Sequence, residues 1–159
     1  MTMPGNLVGT DWLARELGAA DLSILDATVF LHMNPDGFGY TPESGRAKFE
    51  AAHIPGAQFV DLIEAFSDQT TSVKFMMPPP ARFCALAGAL GAGDGKRIVV
   101  YSSGSPMWAT RLWWMFRSVG VDDVAVLDGG LAKWTRESRP VTADVVTPTP
   151  ATLTPRPSP

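Results

Sequence analysis

The chain has 159 residues, of which 45% are hydrophobic and 18% are charged, and its formal net charge at pH 7 is −3. This length and balance suit one globular domain, and a negative charge without any Lys/Arg cluster argues against a nucleic-acid partner. The N-terminal residues lack the pattern of a signal peptide and no apolar run reaches membrane-spanning length, so we expect a cytoplasmic protein with no membrane partner. The single cysteine, Cys84, excludes an internal disulfide.

The first half of the chain alternates short apolar runs with helical patterns. We predict, in order, a weak strand over residues 7–9, a short helix over 10–17, a strand over 23–27, one helical turn over 48–53 and a short strand over 58–61. Thr10 is the predicted N-cap of the first helix, and Asp26 is placed at the end of the second strand. Because residues 33–46 are rich in proline and glycine, we predict a long irregular surface loop there.

The second half continues the same alternation. It contains a predicted loop over 67–80, a helix over 81–90, a strand over 98–101, a helix from Pro106, a strand over 124–127 and a helix over 131–136. The alternation predicts an α/β domain with about five mainly parallel strands and helices on both faces. We place this domain at residues 5–141. Residues 142–159 are rich in proline and threonine, which predicts an extended linker or tail that cannot pack a core.

The stretch from Lys96 to Arg117 carries the candidate site. Ile98 to Tyr101 is apolar and β-branched, as in a strand buried on both faces, and a small polar loop follows. Ser105 suits an N-cap and Pro106 the first helical position. A loop between the carboxyl end of a parallel strand and a helix N-terminus gathers backbone N–H groups that can hold an anion. Ser102 lies where a nucleophile would stand.

Several motifs, in order between residues 7 and 141, resemble the rhodanese-like sulfurtransferases. They are Ile24-Leu-Asp26, Ala52-His-Ile-Pro-Gly-Ala57, Val124-Ala-Val-Leu-Asp-Gly-Gly-Leu-Ala-Lys-Trp134 and Arg139-Pro-Val141. Residues 101–116 narrow the resemblance to the N-terminal half of the tandem-domain thiosulfate and 3-mercaptopyruvate sulfurtransferases. The resemblance implies a three-layer rhodanese-like domain without a cofactor. In those enzymes the first half lacks the catalytic cysteine and forms one wall of the active site.

Rhodanese chemistry needs a thiolate that accepts a sulfane sulfur as a persulfide, and a serine cannot form one. We therefore expect no intact catalytic residue and no activity of the isolated chain. The active-site-like loop comprises Ser102, Ser103, Gly104, Ser105, Pro106, Met107 and Trp108. Pro106 removes one N–H group from the anion cradle, and we expect Met107 and Trp108 to fill the pocket. The polar positions that match the family are Asp26, Arg46, His53, Arg111 and Asp128. We expect Asp26, Arg46 and His53 to link loops by hydrogen bonds.

Other nucleophiles have their own requirements. An activated Ser102 would need a base, and His32 and His53 are the only histidines; the resemblance places His53 in a turn away from the loop. Cys84 is interpreted as a small residue on a packed helix, and the alternative, a reactive thiol, would need exposure and a lowered pKa. No metal-ligand spacing appears, so we expect no metal site.

The helix after the loop indicates a partner. This helix has more apolar surface than one face can bury, because it carries Trp113 and Trp114 together with Met107, Trp108 and Met115. We therefore expect it to contact a second, catalytic rhodanese domain, in cis or in trans, or a second copy of itself. The chain would then be a truncated product, a split gene product or a free-standing module. The alternative is an independent regulatory module whose loop binds a small oxyanion.

Overall fold

The structure, a computed structural model, describes residues 2–156. In chain order the elements are β1 (Leu7–Val8), α1 (Thr10–Glu16), β2 (Leu22–Asp26), β3 (Val29–Met33), β4 (Tyr40–Ser44), α2 (Arg46–Ala51), β5 (Gln58–Phe59), α3 (Pro80–Ala89), β6 (Arg97–Tyr101), α4 (Met107–Ser118), β7 (Val124–Leu127) and α5 (Gly130–Arg136). None of the helices in this part of the chain is long and apolar enough to cross a membrane.

Five strands form one parallel sheet in the order β1-β7-β6-β2-β5. The central strand β6 pairs with β2 on one side and with β7 on the other, for example Val100 with Leu25 and Ile98 with Val124. All five residues of β6 are buried: Ile98 to Tyr101 form the apolar run expected of a strand covered on both faces, and Arg97 is paired with Glu16 and Asp21. The predicted α/β class with a five-stranded parallel sheet is confirmed.

The sheet separates two apolar layers because alternate residues of a strand point to opposite faces. Ile98 and Val100 of β6 belong to the cluster that contains the buried side chains of α3 and α4. Val99 and Tyr101 belong to the cluster formed with α1, α2 and α5. The helices therefore lie on both faces of the sheet, in the predicted three-layer arrangement.

Residues 29–44 differ from the prediction, because β3 and β4 form an antiparallel hairpin outside the main sheet. The irregular loop predicted for residues 33–46 is wrong. Gly37 and Gly39 have positive φ angles of 81° and 72° and turn the chain between the strands. Pro42 is accommodated because β4 has only one partner strand, so its missing N–H group can face away from the ladder.

Two helix starts also differ from their predictions. The N-cap of α1 is Gly9, and Thr10 is the first helical residue, with its hydroxyl donating a hydrogen bond to Glu137. Helix α2 starts at Arg46 and runs for six residues, longer than the one turn predicted from residue 48. Phe49 is the buried residue of α2. A single apolar residue does not show a helical period, so the full length of α2 could not be predicted from the sequence.

The strap, residues 142–156, is extended as predicted but is not detached from the core. It has no helix or strand beyond an isolated bridge between Thr142 and His53. Its backbone bonds go to other segments: Ala151 donates to the carbonyl of Gly88 at 2.8 Å, and Arg156 to that of Val119 at 2.9 Å. Leu153 is buried within the α3–α4 layer. The prediction that this segment cannot pack a core is therefore wrong for residues 142–156, and residues 157–159 of the predicted tail lie outside the described residues.

Candidate functional site

The loop between β6 and α4 has the predicted strand–loop–helix geometry, with the helix starting one residue later. Pro106 is the N-cap and Met107 the first helical residue. The Ser105 hydroxyl nevertheless acts as a cap, since it accepts a hydrogen bond from the Met107 N–H at 3.3 Å. Gly104 turns the chain with a φ of 77°. The loop thus places Ser102 beside the first turn of α4.

Ser102 is held inside its own loop. Its side chain is buried, and its hydroxyl donates to the carbonyl oxygen of Ser105 at 2.8 Å. Its carbonyl oxygen accepts the N–H of Leu131 at 3.3 Å. A Cβ atom at Gly130 would lie 2.5 Å from that same oxygen, so only glycine allows α5 to approach this closely. The end of β6 and the start of α5 therefore form one rigid unit.

A cavity of about 320 Å³ lies beside Ser102. It is lined by Ser102, Gly104, Pro106, Ala109, Val126, Leu127, Asp128, Gly129 and Gly130. Met107 and Trp108 are not among these residues: Met107 is 49% exposed, and the Trp108 ring packs 4.9 Å from that of Phe75. The expectation that these two side chains fill the pocket is wrong, because the first turn of α4 directs one outward and the other into the core.

Behind the loop, a chain of hydrogen bonds connects β2 to Ser103. The buried Asp26 carboxylate accepts the Thr28 N–H at 2.9 Å and the Thr28 hydroxyl at 2.5 Å. The Thr28 hydroxyl oxygen in turn accepts the Ser103 N–H at 2.8 Å. Within residues 2–156, Asp26 Oδ2 and Ser103 Oγ are buried without hydrogen-bond partners. Burial raises the pKa of Asp26, and the hydrogen bonds from Thr28 act in the opposite direction.

The other polar positions that match the family are spread over the molecule. Arg46 stacks its guanidinium 4.8 Å from the Phe59 ring, and Arg111 donates to the Phe75 carbonyl. Only Asp128 shares the cavity with Ser102. Asp128 therefore lies beside the loop, and Asp26 is connected to the loop through Thr28. Arg46 and Arg111 do not line the cavity beside Ser102.

Neither histidine contacts Ser102 in the structure. His53 is buried with Nδ1 2.7 Å from the Phe49 carbonyl oxygen and Nε2 2.8 Å from that of Asp144, so both ring nitrogens are occupied. His32 is exposed on the hairpin, 3.6 Å from a Glu43 carboxylate oxygen. A Ser–His–Asp triad around Ser102 is thus absent from this part of the chain.

Cys84 lies in the α3–α4 layer, and burial raises the pKa of its thiol. A raised pKa leaves less of the reactive thiolate at neutral pH, so Cys84 has the properties of a packing residue. Residues 2–156 also contain no group of three His, Cys, Asp or Glu side chains that could hold a metal ion.

Helix α4 keeps part of its apolar surface exposed. Trp108 and Met115 are buried and Trp113 is half-buried, with its indole N–H donating to the Val124 carbonyl. Met107 and Trp114 remain 49% and 47% exposed. They are seven residues apart, so they lie on the same side of the helix, which begins at the loop.

The sequence missed a second cavity on the other side of the loop. It is lined by Phe30, Lys48, Ser103, Gly104, Leu131, Ala132 and Thr135, and we call it the Lys48 cavity. Its residues come from β3, α2, the loop and α5, which are far apart in sequence. No spacing within one segment could have indicated it.

The family comparison covers most of the chain. The Rhodanese-like domain family matches residues 9–137. The 3-mercaptopyruvate sulfurtransferase of Escherichia coli strain K12 is 38% identical over 130 residues, which are 82% of this chain and 44% of that protein. The human 3-mercaptopyruvate sulfurtransferase is 37% identical over 154 residues, 91% of this chain and 48% of that protein.

Two further comparisons agree. Thiosulfate/3-mercaptopyruvate sulfurtransferase 2 of Arabidopsis thaliana is 39% identical over 128 residues, 80% of this chain and 35% of that protein. The crystal structure of SseA, a 3-mercaptopyruvate sulfotransferase of Escherichia coli, superposes with a TM-score of 0.81 at 34% identity, over 95% of this chain and 55% of that one. The chain spans less than half the length of these curated relatives.

Proposed function

Because the chain belongs to the rhodanese-like domain family, we propose that it is the N-terminal-type, non-catalytic half of a thiosulfate or 3-mercaptopyruvate sulfurtransferase. In this role it supplies a wall of the substrate pocket and a surface for a catalytic domain. The observation that carries the proposal is Ser102 at the end of β6, with its hydroxyl donated to the Ser105 carbonyl inside the loop. The strand–loop–helix geometry of the family is present, but Ser102 has no sulfur atom where the catalytic cysteine would have one.

The transfer reaction defines what is missing. A thiolate attacks the outer sulfur of thiosulfate, the sulfur–sulfur bond breaks, sulfite leaves, and a persulfide remains on the protein. Cyanide then takes the outer sulfur as thiocyanate and regenerates the thiolate. A serine hydroxyl is not ionised near neutral pH without a base, and neither histidine contacts Ser102. Ser102 therefore cannot carry the sulfur, and the one thiol of the chain, Cys84, is buried in the α3–α4 layer.

The exposed side of α4 supports a partner that meets the loop. Met107 and Trp114 are large apolar side chains left half exposed, and Met107 is directly adjacent to the loop. Large apolar patches on a protein surface commonly mark contact sites for another protein. A catalytic rhodanese domain placed against this side of α4 would lie beside the cavity that contains Ser102.

A cyanide-dependent thiocyanate assay tests the proposal. With thiosulfate or 3-mercaptopyruvate as donor, we expect no turnover by this chain, and the Escherichia coli 3-mercaptopyruvate sulfurtransferase serves as the positive control. We also expect Ser102→Cys to be inactive, because its side chain is directed at the Ser105 carbonyl and Pro106 offers no N–H group. Turnover by the unmodified chain, or an added sulfur detected on it by mass spectrometry, would contradict the proposal. Turnover by Ser102→Cys would contradict the expectation that the loop has lost its anion site.

The partner is tested separately. Added catalytic rhodanese domain should shift the elution of the chain in size-exclusion chromatography, and the double variant Met107→Ser/Trp114→Ser should abolish the shift. Val145→Ser/Val146→Ser is the matched control, since both valines are exposed in the strap, where the Val146 carbonyl accepts a hydrogen bond from Gln58 of β5. An unshifted wild-type chain that is also monomeric would refute both the heterologous contact and self-association.

A second candidate function is an independent binding module. It is favoured by one observation, the open cavity beside Ser102, which Met107 and Trp108 leave unfilled. Such a module would hold a small oxyanion there without transferring sulfur. Two results would distinguish it from the first function. A small oxyanion would bind at this cavity, and an added catalytic domain would not change the elution of the chain.

A further inference from the structure

The outer edge of β3 has backbone groups without partners. In an antiparallel pair, residues that exchange hydrogen bonds with the neighbouring strand alternate with residues whose N–H and C=O groups point away from it. The Thr28 carbonyl accepts the Gly45 N–H at 2.9 Å, in the register that continues through β3 and β4, so the even-numbered residues of β3 bond to β4. The backbone groups of Leu31 and Met33 therefore point outward, and within residues 2–156 they bond to no other segment.

This edge is open to solvent at the far end of β3. His32 and Met33 are consecutive, so their side chains lie on opposite faces of the hairpin. Both are exposed, the His32 side chain at 61% and Met33 at 64%. Because neither face is covered there, this end of β3 projects from the domain. Another strand can therefore reach the outward backbone groups.

The two outer edges of the hairpin differ. Pro42 lies opposite Leu31 in the ladder, so its backbone also points outward, and proline has no N–H group to donate to a further strand. Between Val29 and Met33, in contrast, β3 carries no proline, lysine, arginine or acidic residue. Those are the residues with which proteins commonly protect an exposed strand edge. The hairpin is therefore blocked along β4 and open along β3.

We propose that β3 pairs with β3 of a second copy of this chain, antiparallel and around a two-fold axis at His32. In this register Leu31 of each copy lies opposite Met33 of the other, and these residues exchange their outward N–H and C=O groups. The product is one continuous sheet in the order β4-β3-β3-β4. Because Pro42 blocks both of its outer edges, the assembly closes at two copies.

The side chains favour a second copy as the partner. A two-fold axis perpendicular to the sheet keeps the same face of both hairpins together, so the exposed Leu31, Met33 and Tyr40 of the two copies form one apolar surface. On the other face the two His32 rings meet at the axis, and each has a Glu43 carboxylate oxygen 3.6 Å away that compensates a positive charge. The pairing involves neither Ser102 nor a catalytic domain, so it is independent of the proposed sulfurtransferase role.

Sedimentation velocity of the full chain, from about 10 µM to about 1 mM, tests the proposal. The paired segment is short, so we expect a weak dimer that dissociates within this range. Met33→Pro removes an outward N–H group and no bond to β4, and it should weaken the dimer at least about tenfold. Met33→Ala is the matched control, because it also loses the side chain but keeps the N–H group, and it should weaken the dimer no more than about threefold. Circular dichroism checks that both variants are folded.

Amide hydrogen exchange of the unmodified chain gives a second readout. Raising the protein concentration should slow exchange at Leu31 and Met33 and leave the outward amide of Tyr40 on β4 unchanged. A chain that stays monomeric throughout the range, equal effects of the two Met33 variants, or slowing at Tyr40 in place of Leu31 and Met33 would overturn the proposal. So would loss of the dimer in Met107→Ser/Trp114→Ser, which would place self-association on α4.

Discussion

Two segments lie outside the parallel sheet: the β3–β4 hairpin and the strap. Both are rich in residues that disfavour regular structure, but different interactions hold them in place. The hairpin satisfies its backbone internally, with five residue pairs from Val29–Ser44 to Met33–Tyr40. Val29 at its base is buried, but most of its apolar side chains are exposed, and Phe38 at the turn is 80% exposed. The strap has no ladder of its own, but its Leu153 lies in the core.

The two segments show that a backbone can be fixed by its own hydrogen bonds or by contacts with the rest of the domain. In the hairpin, local hydrogen bonds fix the backbone and leave its apolar surface free for contacts with another molecule. In the strap, order comes from the rest of the domain: its backbone N–H groups at Ala151 and Arg156 bond to helix-end carbonyls. We therefore expect changes in the strap to reduce global stability and changes in the hairpin to remain local.

Leu153→Ala is expected to have the largest effect. It removes a buried side chain from the α3–α4 layer, so the free energy of unfolding should fall by about 2–4 kcal/mol in urea titrations. Leu31→Ala is the matched control in the hairpin, where the leucine is 39% exposed, and should cost less than about 1 kcal/mol. Similar losses for the two variants would mean that the strap does not share the core.

Gly88→Ala tests the closest contact between α3 and the strap. An alanine Cβ at this position would lie 2.4 Å from the carbonyl oxygen of Ala151, so the strap must move. We expect a loss of about 1–3 kcal/mol, typical of overpacking. Ala85→Gly, on the exposed side of the same helix, calibrates helix propensity at about 1 kcal/mol. If Gly88→Ala instead stabilises the protein by that amount, the contact with the strap is absent.

The smallest expected effect is a pH dependence of opposite sign for two aspartates, one behind the hairpin and one at the strap. Burial raises the pKa of Asp26, so its contribution to stability is present below the unfolded-state pKa of about 3.8 and is lost as pH rises through the folded-state pKa. Asp26→Asn should therefore gain stability relative to the wild type as the pH rises above about 4.

Asp94 is the matched comparison. The Thr154 hydroxyl donates to its carboxylate and lowers the pKa of Asp94. Its contribution is present above the unfolded-state pKa and is lost as pH falls through the lowered folded-state pKa, so the deficit of Asp94→Asn should shrink in acid. Urea titrations at several pH values measure both trends, and trends of the same sign for the two variants would contradict the assignment.

The sheet could be predicted from the sequence because each signal for it lies within a single segment of the chain. The apolar run Ile98–Tyr101, the glycines after the helices and the family motifs each lie within one segment. The hairpin was missed because proline and glycine disfavour strands on average, although Pro42 pairs along a strand with only one partner and Gly37 and Gly39 form the turn. The burial of Leu153 could not be inferred either, since no apolar period surrounds it.

The candidate site was predictable in part. Ser102 and its loop were placed correctly at the end of β6, since a buried strand and a helix start both have sequence signals. The directions of Met107 and Trp108 were not, because they depend on where the first helical turn begins. The Lys48 cavity depends on four segments that only the fold brings together. Lys48 and Ser103, which line this cavity, belong to no sequence motif.

The course of the strap determines how a catalytic domain could reach the loop. Arg156 bonds to the carbonyls of Val119 and Gly120, just beyond the last turn of α4, whereas the loop adjoins its first residue, Met107. The 12 residues of α4 span about 18 Å. A connection running on from Arg156 would need about six extended residues to return along the helix before its domain met Ser102. A separate polypeptide would approach the loop without that tether.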